Sequence, residues 1–428
     1  MNRGVRTRSS VTNRAAVVLA RGTRLGSTAS DVATDDLEAL QEIVGGARVV
    51  ALGESAHFVR EFTEVRARLT RLLMERLGFT VFAHEFSVTA GFALDSWIRG
   101  TGTNEDLNDI RSDITRSGAA ALFRQLREHN IAHVPARFVG IDVPEAGGSL
   151  LPALAPVRDY LANVDPGLLP RLDAATELAE RFAAGSAMTA IPAWHSLDAS
   201  EQDALTAALA RLRALMHSRA PIYLERENTE AARDRFDRAA VHLDTAIGAD
   251  HLFGSTNGLP ANEQMAAAIS LRDRFMAGTV FTLLDHADPG DRIVLVAHNT
   301  HIQKTPLRYA PEAGPTMVPM GQHLARALGE DYVAIGLTHT ADSVPQVRSD
   351  GSVAEPIALG PPLPTSIEAA ADTAGLAYPT LVRTRNECGL DGVDRIRAQS
   401  GWSYGRLADA FDAVMTVPTA TTETDVAL

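Results

Sequence analysis

Four apolar runs of strand length, each closing on ionisable residues, constrain this chain more than any other feature. VVAL runs into Gly53-Glu54 and His57, FTVFA into Glu85, FVGI into Asp142, and IVLVA into His298 and His301. Continuous Val/Ile/Phe/Ala stretches without polar alternation suit strands buried on both faces, as in a parallel sheet with helices on each side. In open α/β sheets a ligand sits outside the carboxyl ends of the strands. Glu54, His57, Glu85, His298 and His301 are therefore expected to meet in one cleft from distant parts of the sequence. Imidazoles and carboxylates gathered in this way form an acid/base set.

From about residue 35 to 143 helical and strand patterns alternate, the signature of βαβ units. On the helix after the first strand, Val59, Phe62, Arg66, Leu69 and Leu73 recur at spacings of three and four. Arg66 thus lies on the stripe that faces the core, where its permanent charge needs a partner, and the strand-end carboxylates are nearest. A two-pronged grip of the guanidinium on Glu54 or Glu85 is expected. Residues 150–250 change character, with long amphipathic stretches punctuated by Pro156, Pro166, Pro170, Pro192 and Pro221 and no strand-like run. The fold expected is α/β, a mainly parallel sheet covered by helices, with this helical insert forming a lobe over the active-site cleft. Its parts are a disordered extension (1–30), a first part of the α/β core (31–149), the insert (150–250), a second part of the core (251–415) and a flexible Thr-rich tail (416–428).

With 53 acidic against 40 basic residues the net charge is −13, which argues against nucleic acid or an anionic membrane as partner. Cys388 is the single cysteine, so the chain forms no internal disulfide and no thiolate metal cluster. The first 30 residues carry six arginines and no acid, and AAVVLA is too short for the core of a signal peptide. No stretch approaches the ~20 apolar residues of a membrane-spanning helix. A cytoplasmic monomer is expected.

The bland readings are that Glu54 caps the following helix and that His57 is satisfied by backbone. Glu85, His298 and His301 at further strand ends would each need a separate structural reason, which favours a functional set. His298 and His301, with His57 and Glu54, also offer nitrogen and oxygen ligands for zinc, though no HExxH helix or cysteine ligand set accompanies them. GWSYG (401–405) has the form of a nucleophile elbow, but DRIRAQS before it is no apolar strand. The last histidine of the chain is His339, so the order Ser, acid, His cannot be met. Ser403 reads as a turn or N-cap residue before a helix RLADAFDAV. GTGT (100–103) lacks the third glycine of a dinucleotide fingerprint.

VVALGESAHFVREF, GFTVFAHEF with SWIRGTGT, GIDVP with GGSLLP, APIYLE, RDRFMA, VAHNTHIQKTPL and PMGQHL follow one another in the order seen in the erythromycin esterase family. The chain resembles the type II macrolide esterases most, through His57-Phe58 where many relatives have His-Gly. The resemblance runs from about residue 35 to 340 and more weakly to 415. It implies cofactor-free, metal-independent hydrolysis of a macrolactone without a covalent serine intermediate, inactivating the antibiotic. It places the general base at His57, its neighbouring glutamate at Glu54, the helix arginine at Arg66, a second glutamate at Glu85 and later histidines at His298 and His301.

The mechanism expected is direct attack by water. His57, with an ordinary pKa near about 6.5, takes the proton, and Glu54 or Glu85 orients the imidazole. Arg66, His298 or His301 stabilises the oxyanion or protonates the leaving alcohol. Phe58, Asp142 and His301 are expected to touch the substrate, a macrolide or related lactone. The alternative is a biosynthetic enzyme of the same fold that uses these groups for cyclisation, elimination or acyl transfer on a natural-product intermediate. Sequestration of a macrolide without turnover would not require Glu54, His57, Arg66 and Glu85.

Overall fold

The four runs that end on ionisable residues are four adjacent strands of one sheet. The structure, a computed structural model, describes residues 2–29, 38–103, 106–107, 120–133, 135–288, 290–310, 314–347 and 353–423. Its strands are β1 (Thr23–Arg24), β2 (Val49–Leu52), β3 (Val81–Ser87), β4 (Arg137–Asp142), β5 (Ile293–Val296), β6 (Tyr332–His339), β7 (Ser343–Val347), β8 (Val353–Ala358), β9 (Thr380–Arg383), β10 (Arg395–Ala398), β11 (Gly401–Tyr404) and β12 (Ala413–Val417). Eight of them form a sheet in the order β1-β9-β12-β6-β2-β5-β3-β4, and β7-β8 and β10-β11 are separate hairpins. The run from β12 to β4 is parallel, and β9 and β1 add an antiparallel edge.

Strand side chains alternate between two cores, as the two-residue period demands. Val50, Leu52, Phe82, Val294 and Val296 pack under Phe62, Leu69 and Leu73 of the helix Arg60–Leu77. Val49, Ala51, Val81, Ala83 and Leu295 pack on the opposite face with Met276 and Val280 of the helix Ala261–Asp285. A third core lies apart from the sheet, built by helices from Leu151–Val164 to Glu230–Gly254 around Leu161, Leu172, Leu209, Leu212, Leu243 and Phe253.

Gly53 ends β2 where no side chain fits. A Cβ there would stand 1.9 Å from Asn299 Oδ1. Asn299 is spent on a cross-link, its amide donating to the Leu337 carbonyl (2.8 Å) and accepting from the Leu337 N–H (3.1 Å), which ties the turn after β5 to β6. Gly53→Ala is therefore expected to cost about 1–3 kcal/mol by overpacking, read as a lower denaturant midpoint. Unchanged stability would show that Asn299 is free to yield.

Three expectations are corrected. The extension 1–30 contains the helix Asn2–Leu19, whose residues Val11, Ala15 and Leu19 are buried against Ala370, Leu390 and Val393, and β1 pairs with β9. Spacing of four along one face supplies that apolar stripe, and Arg14 lies off it, exposed. The tail is anchored as far as it is described: β12 includes Thr416 and Val417, and Glu423 is buried. Residues 424–428 lie outside the described residues. Within RLADAFDAV only Leu407–Ala410 is helical, and the apolar residues after it form β12, because β6 and β9 offer strand partners on both sides. Ser403 lies in β11, buried, and donates to Gln303 Oε1 (3.0 Å).

Candidate active site

The turn after β2 carries the first half of the site. Glu54 is buried and divided between two partners: His57 Nδ1 lies 2.8 Å from Oε1, and Arg66 Nη2 lies 2.8 Å from Oε2. Arg66, 2% exposed, reaches Glu54 from the helix stripe it shares with Phe62 and Leu69. One guanidinium nitrogen makes this contact, so the two-pronged grip expected from the sequence is replaced by a carboxylate with one oxygen for arginine and one for histidine. Burial alone would raise the Glu54 carboxyl, but Arg66 and His57 outweigh it and hold it at about 2. Burial likewise favours neutral His57, and the Glu54 hydrogen bond and charge reverse this and raise its pKa above 6.5. Since Nδ1 donates to Glu54, the lone pair of the neutral ring lies on Nε2.

The second half comes from the turn after β5. His298 caps the short helix Asn299–Ile302: its Nδ1 accepts from the Thr300 N–H (3.2 Å) and lies 2.8 Å from Thr300 Oγ1. The proton of the neutral ring is thereby placed on Nε2, which makes no hydrogen bond among the described residues. Burial and the neighbouring His57 lower the His298 pKa to about 3, so the ring stays neutral. The His57 and His298 ring centroids are 5.0 Å apart.

Behind these rings lies a buried ionic chain. A register shift between His84 and Ser87 sets Glu85 in a bulged stretch of β3, the kind of irregularity that re-aims a side chain. Glu85 accepts from the His298 N–H (2.8 Å) and from Arg272 Nη2 (2.9 Å), and lies 3.3 Å from His301 Nε2. The Nδ1 of His301 is 2.9 Å from each oxygen of Asp273. Burial opposes charge on His301, but Asp273 and Glu85 prevail and push its pKa up to about 10, making it an imidazolium clamped between carboxylates. Burial would also raise Glu85; His301 and Arg272 hold it well below the usual range.

This geometry commits most of the ionisable groups to one another. Asp142, expected to touch substrate, lines the cavity while its oxygens take Arg272 Nε at 2.9 and 3.0 Å and one also takes the Val143 N–H. His301, also expected to bind substrate, lines the cavity with both its nitrogens facing carboxylates. Glu54 contacts His57, and Glu85 contacts His298, His301 and Arg272. Phe58 lines the cavity, its ring roughly perpendicular to that of His57 (6.5 Å between centroids). Arg272 and Asp273 were missed, although Asp273 shares a helix stripe with Met276, Ala277 and Val280, the same signal that singled out Arg66.

The cavity holds about 450 Å³. Strand ends furnish its ionisable floor, and an apolar wall comes from Met188 and Ile191 on the helix Ala187–His195, from Leu252, and from Met265 and Ile269. Among the described residues, the His/carboxylate group whose ligand atoms all lie within 4.8 Å of one another is Glu75, His129 and His133, none of which lines this cavity.

The erythromycin esterase family model matches residues 74–420. The chain belongs to the erythromycin esterase family. It is 32% identical to erythromycin esterase type II of Escherichia coli over 391 residues, covering 90% of this chain and 92% of that protein. Identity to erythromycin esterase type I of Escherichia coli is 30% over 406 residues, covering 92% and 96%. A solved structure of a mutant of the erythromycin esterase EreC in its open conformation superposes with a TM-score of 0.81 at 27% identity, covering 95% of this chain and 99% of that one. The α/β fold of the family is therefore shared along almost the whole chain. Among the described residues no helix is long and apolar enough to cross a membrane.

Proposed function

We propose that this erythromycin esterase family member opens the macrolactone ester of antibiotics such as erythromycin by direct attack of water, and so confers resistance. The observation that carries this reading is the pair of opposed tautomers. His57 has its lone pair on Nε2, and His298, 5.0 Å away between centroids, carries its proton on a buried Nε2 that has no hydrogen-bond partner among the described residues. Water held against His57 loses its proton to Nε2 as its oxygen bonds to the ester carbon. The charge that develops on the carbonyl oxygen meets the His298 N–H. Arg66 is spent on Glu54 and His301 on two carboxylates, so of the two later histidines His298 is the one with an uncommitted donor among the described residues. The tetrahedral intermediate then expels the ring alkoxide, which takes the proton from His57 and leaves a ring-opened hydroxy acid. The apolar wall suits the methyl-bearing face of a macrolactone.

Incubation with erythromycin in ¹⁸O-labelled water tests the reading. A mass gain of one water with the label in the new carboxylate is expected. Loss of water would indicate elimination, and unchanged mass with tight binding would indicate sequestration.

The pH dependence has a definite sign. A protonated imidazole cannot accept a proton, so kcat/KM is expected to fall as pH drops through the raised His57 pKa, giving an acid limb centred above 6.5. An acid limb centred below 6 would overturn the general-base role.

A further inference from the structure

The turn that carries Glu54 and His57 is fixed from outside by three backbone N–H groups distant in sequence. Asn299 donates to the Glu54 carbonyl (2.8 Å), Gln399 to the Ser55 carbonyl (2.6 Å) and Glu423 to the Phe58 carbonyl (2.7 Å). The third contact bears on a strained residue. Phe58 has a φ of 59°, a left-handed conformation that costs a bulky side chain about 1–3 kcal/mol and persists only where the surroundings over-determine it.

Residues 419–423 supply much of that determination. Val59 and Thr422 form an antiparallel bridge, and the Arg60 N–H donates to the Thr421 carbonyl (2.9 Å). The helix Arg60–Leu77 has no side-chain N-cap, so this carbonyl takes one of the N–H groups that a helix start leaves open. Glu61, 8% exposed, anchors the segment by accepting from Thr419 Oγ1 (2.8 Å), Thr421 Oγ1 (2.7 Å) and the Thr421 N–H (2.8 Å). The route is set by topology: β12 lies beside β6, one strand from β2, and its carboxyl end releases the chain next to the catalytic turn.

We infer that residues 419–423 are a positioning strap, which holds the strained Phe58 and the start of the helix bearing Arg66 so that His57 and Glu54 stay in register for catalysis. The strap touches neither water nor ester. It acts through His57, and the kinetic part of the inference rests on the reading of His57 as base.

Two variants test it: the chain ended after Pro418, and the full chain carrying Glu61→Ala. For each, kcat and KM for erythromycin are measured, and His57 is titrated by NMR with ring-labelled histidine. The groups facing that ring are Glu54, Glu85, His298 and His301, and none lies in the strap. Loss of the strap is expected to lower kcat at least about tenfold with KM within about threefold, as a small misplacement does. The His57 midpoint should also move down toward about 6.5 as its Glu54 bond loosens. A folded Glu61→Ala protein whose kcat and His57 midpoint both match the parent would overturn the inference, and it decides alone if the truncated chain does not fold. If the parent itself opens no lactone, the functional reading fails and the His57 titration judges the strap.

Discussion

With alanine at position 57 the protein is expected to fold as before and to lose roughly 10²–10⁴-fold in kcat, the contribution of a positioned general base. The His57 side chain is 34% exposed, on a turn whose backbone is held by Asn299, Gln399 and Glu423, so little packing is lost with it. The measurement is turnover of erythromycin beside the denaturant midpoint. Activity within a few-fold of the parent would sink the base assignment. A midpoint far below the parent would make His57 structural.

Arg66→Met is expected to be the most damaging substitution for stability. It keeps the apolar stem and leaves Glu54 buried without its cation, and breaking a buried pair in this way costs about 3–5 kcal/mol. The pH dependence separates this cause from lost packing. Glu54 has its carboxyl held at about 2 against an ordinary 4.5, so the stability it contributes is present above 4.5 and is lost as pH falls through 2. That shift is worth about 3 kcal/mol. The difference in unfolding free energy between parent and Arg66→Met should therefore be largest near neutrality and shrink toward pH 2. A difference independent of pH would mean that Arg66 does not set the Glu54 carboxyl.

The site was legible in the sequence where an ionisable residue follows an apolar strand or interrupts an apolar helix stripe. Glu54, Glu85, His298 and His301 announce themselves by the first pattern and Arg66 by the second. Asp273 carries the same helix signal, but Arg272 and Arg274 on either side break up the apolar pattern around it. What the pattern cannot give is the partition of partners. That Glu54 and not Glu85 holds His57, and that Asp142 closes on Arg272, depend on a bulge in β3 and on helix placement. The ends of the chain were misread for another reason. Val11, Ala15 and Leu19 form a narrow stripe among arginines, and AVMTV becomes a strand only because β6 and β9 offer it two edges.

The buried ionic chain also has an arithmetic. Glu54, Glu85, Asp142 and Asp273 are matched by Arg66, Arg272 and the proton on His301, so four negative charges face three positive ones while His57 is neutral. The resting floor of the cavity is one positive charge short of balance. It reaches balance when His57 is protonated, so in the proposed hydrolysis the fixed charges would fit the imidazolium of the transition state better than the neutral ring that precedes it.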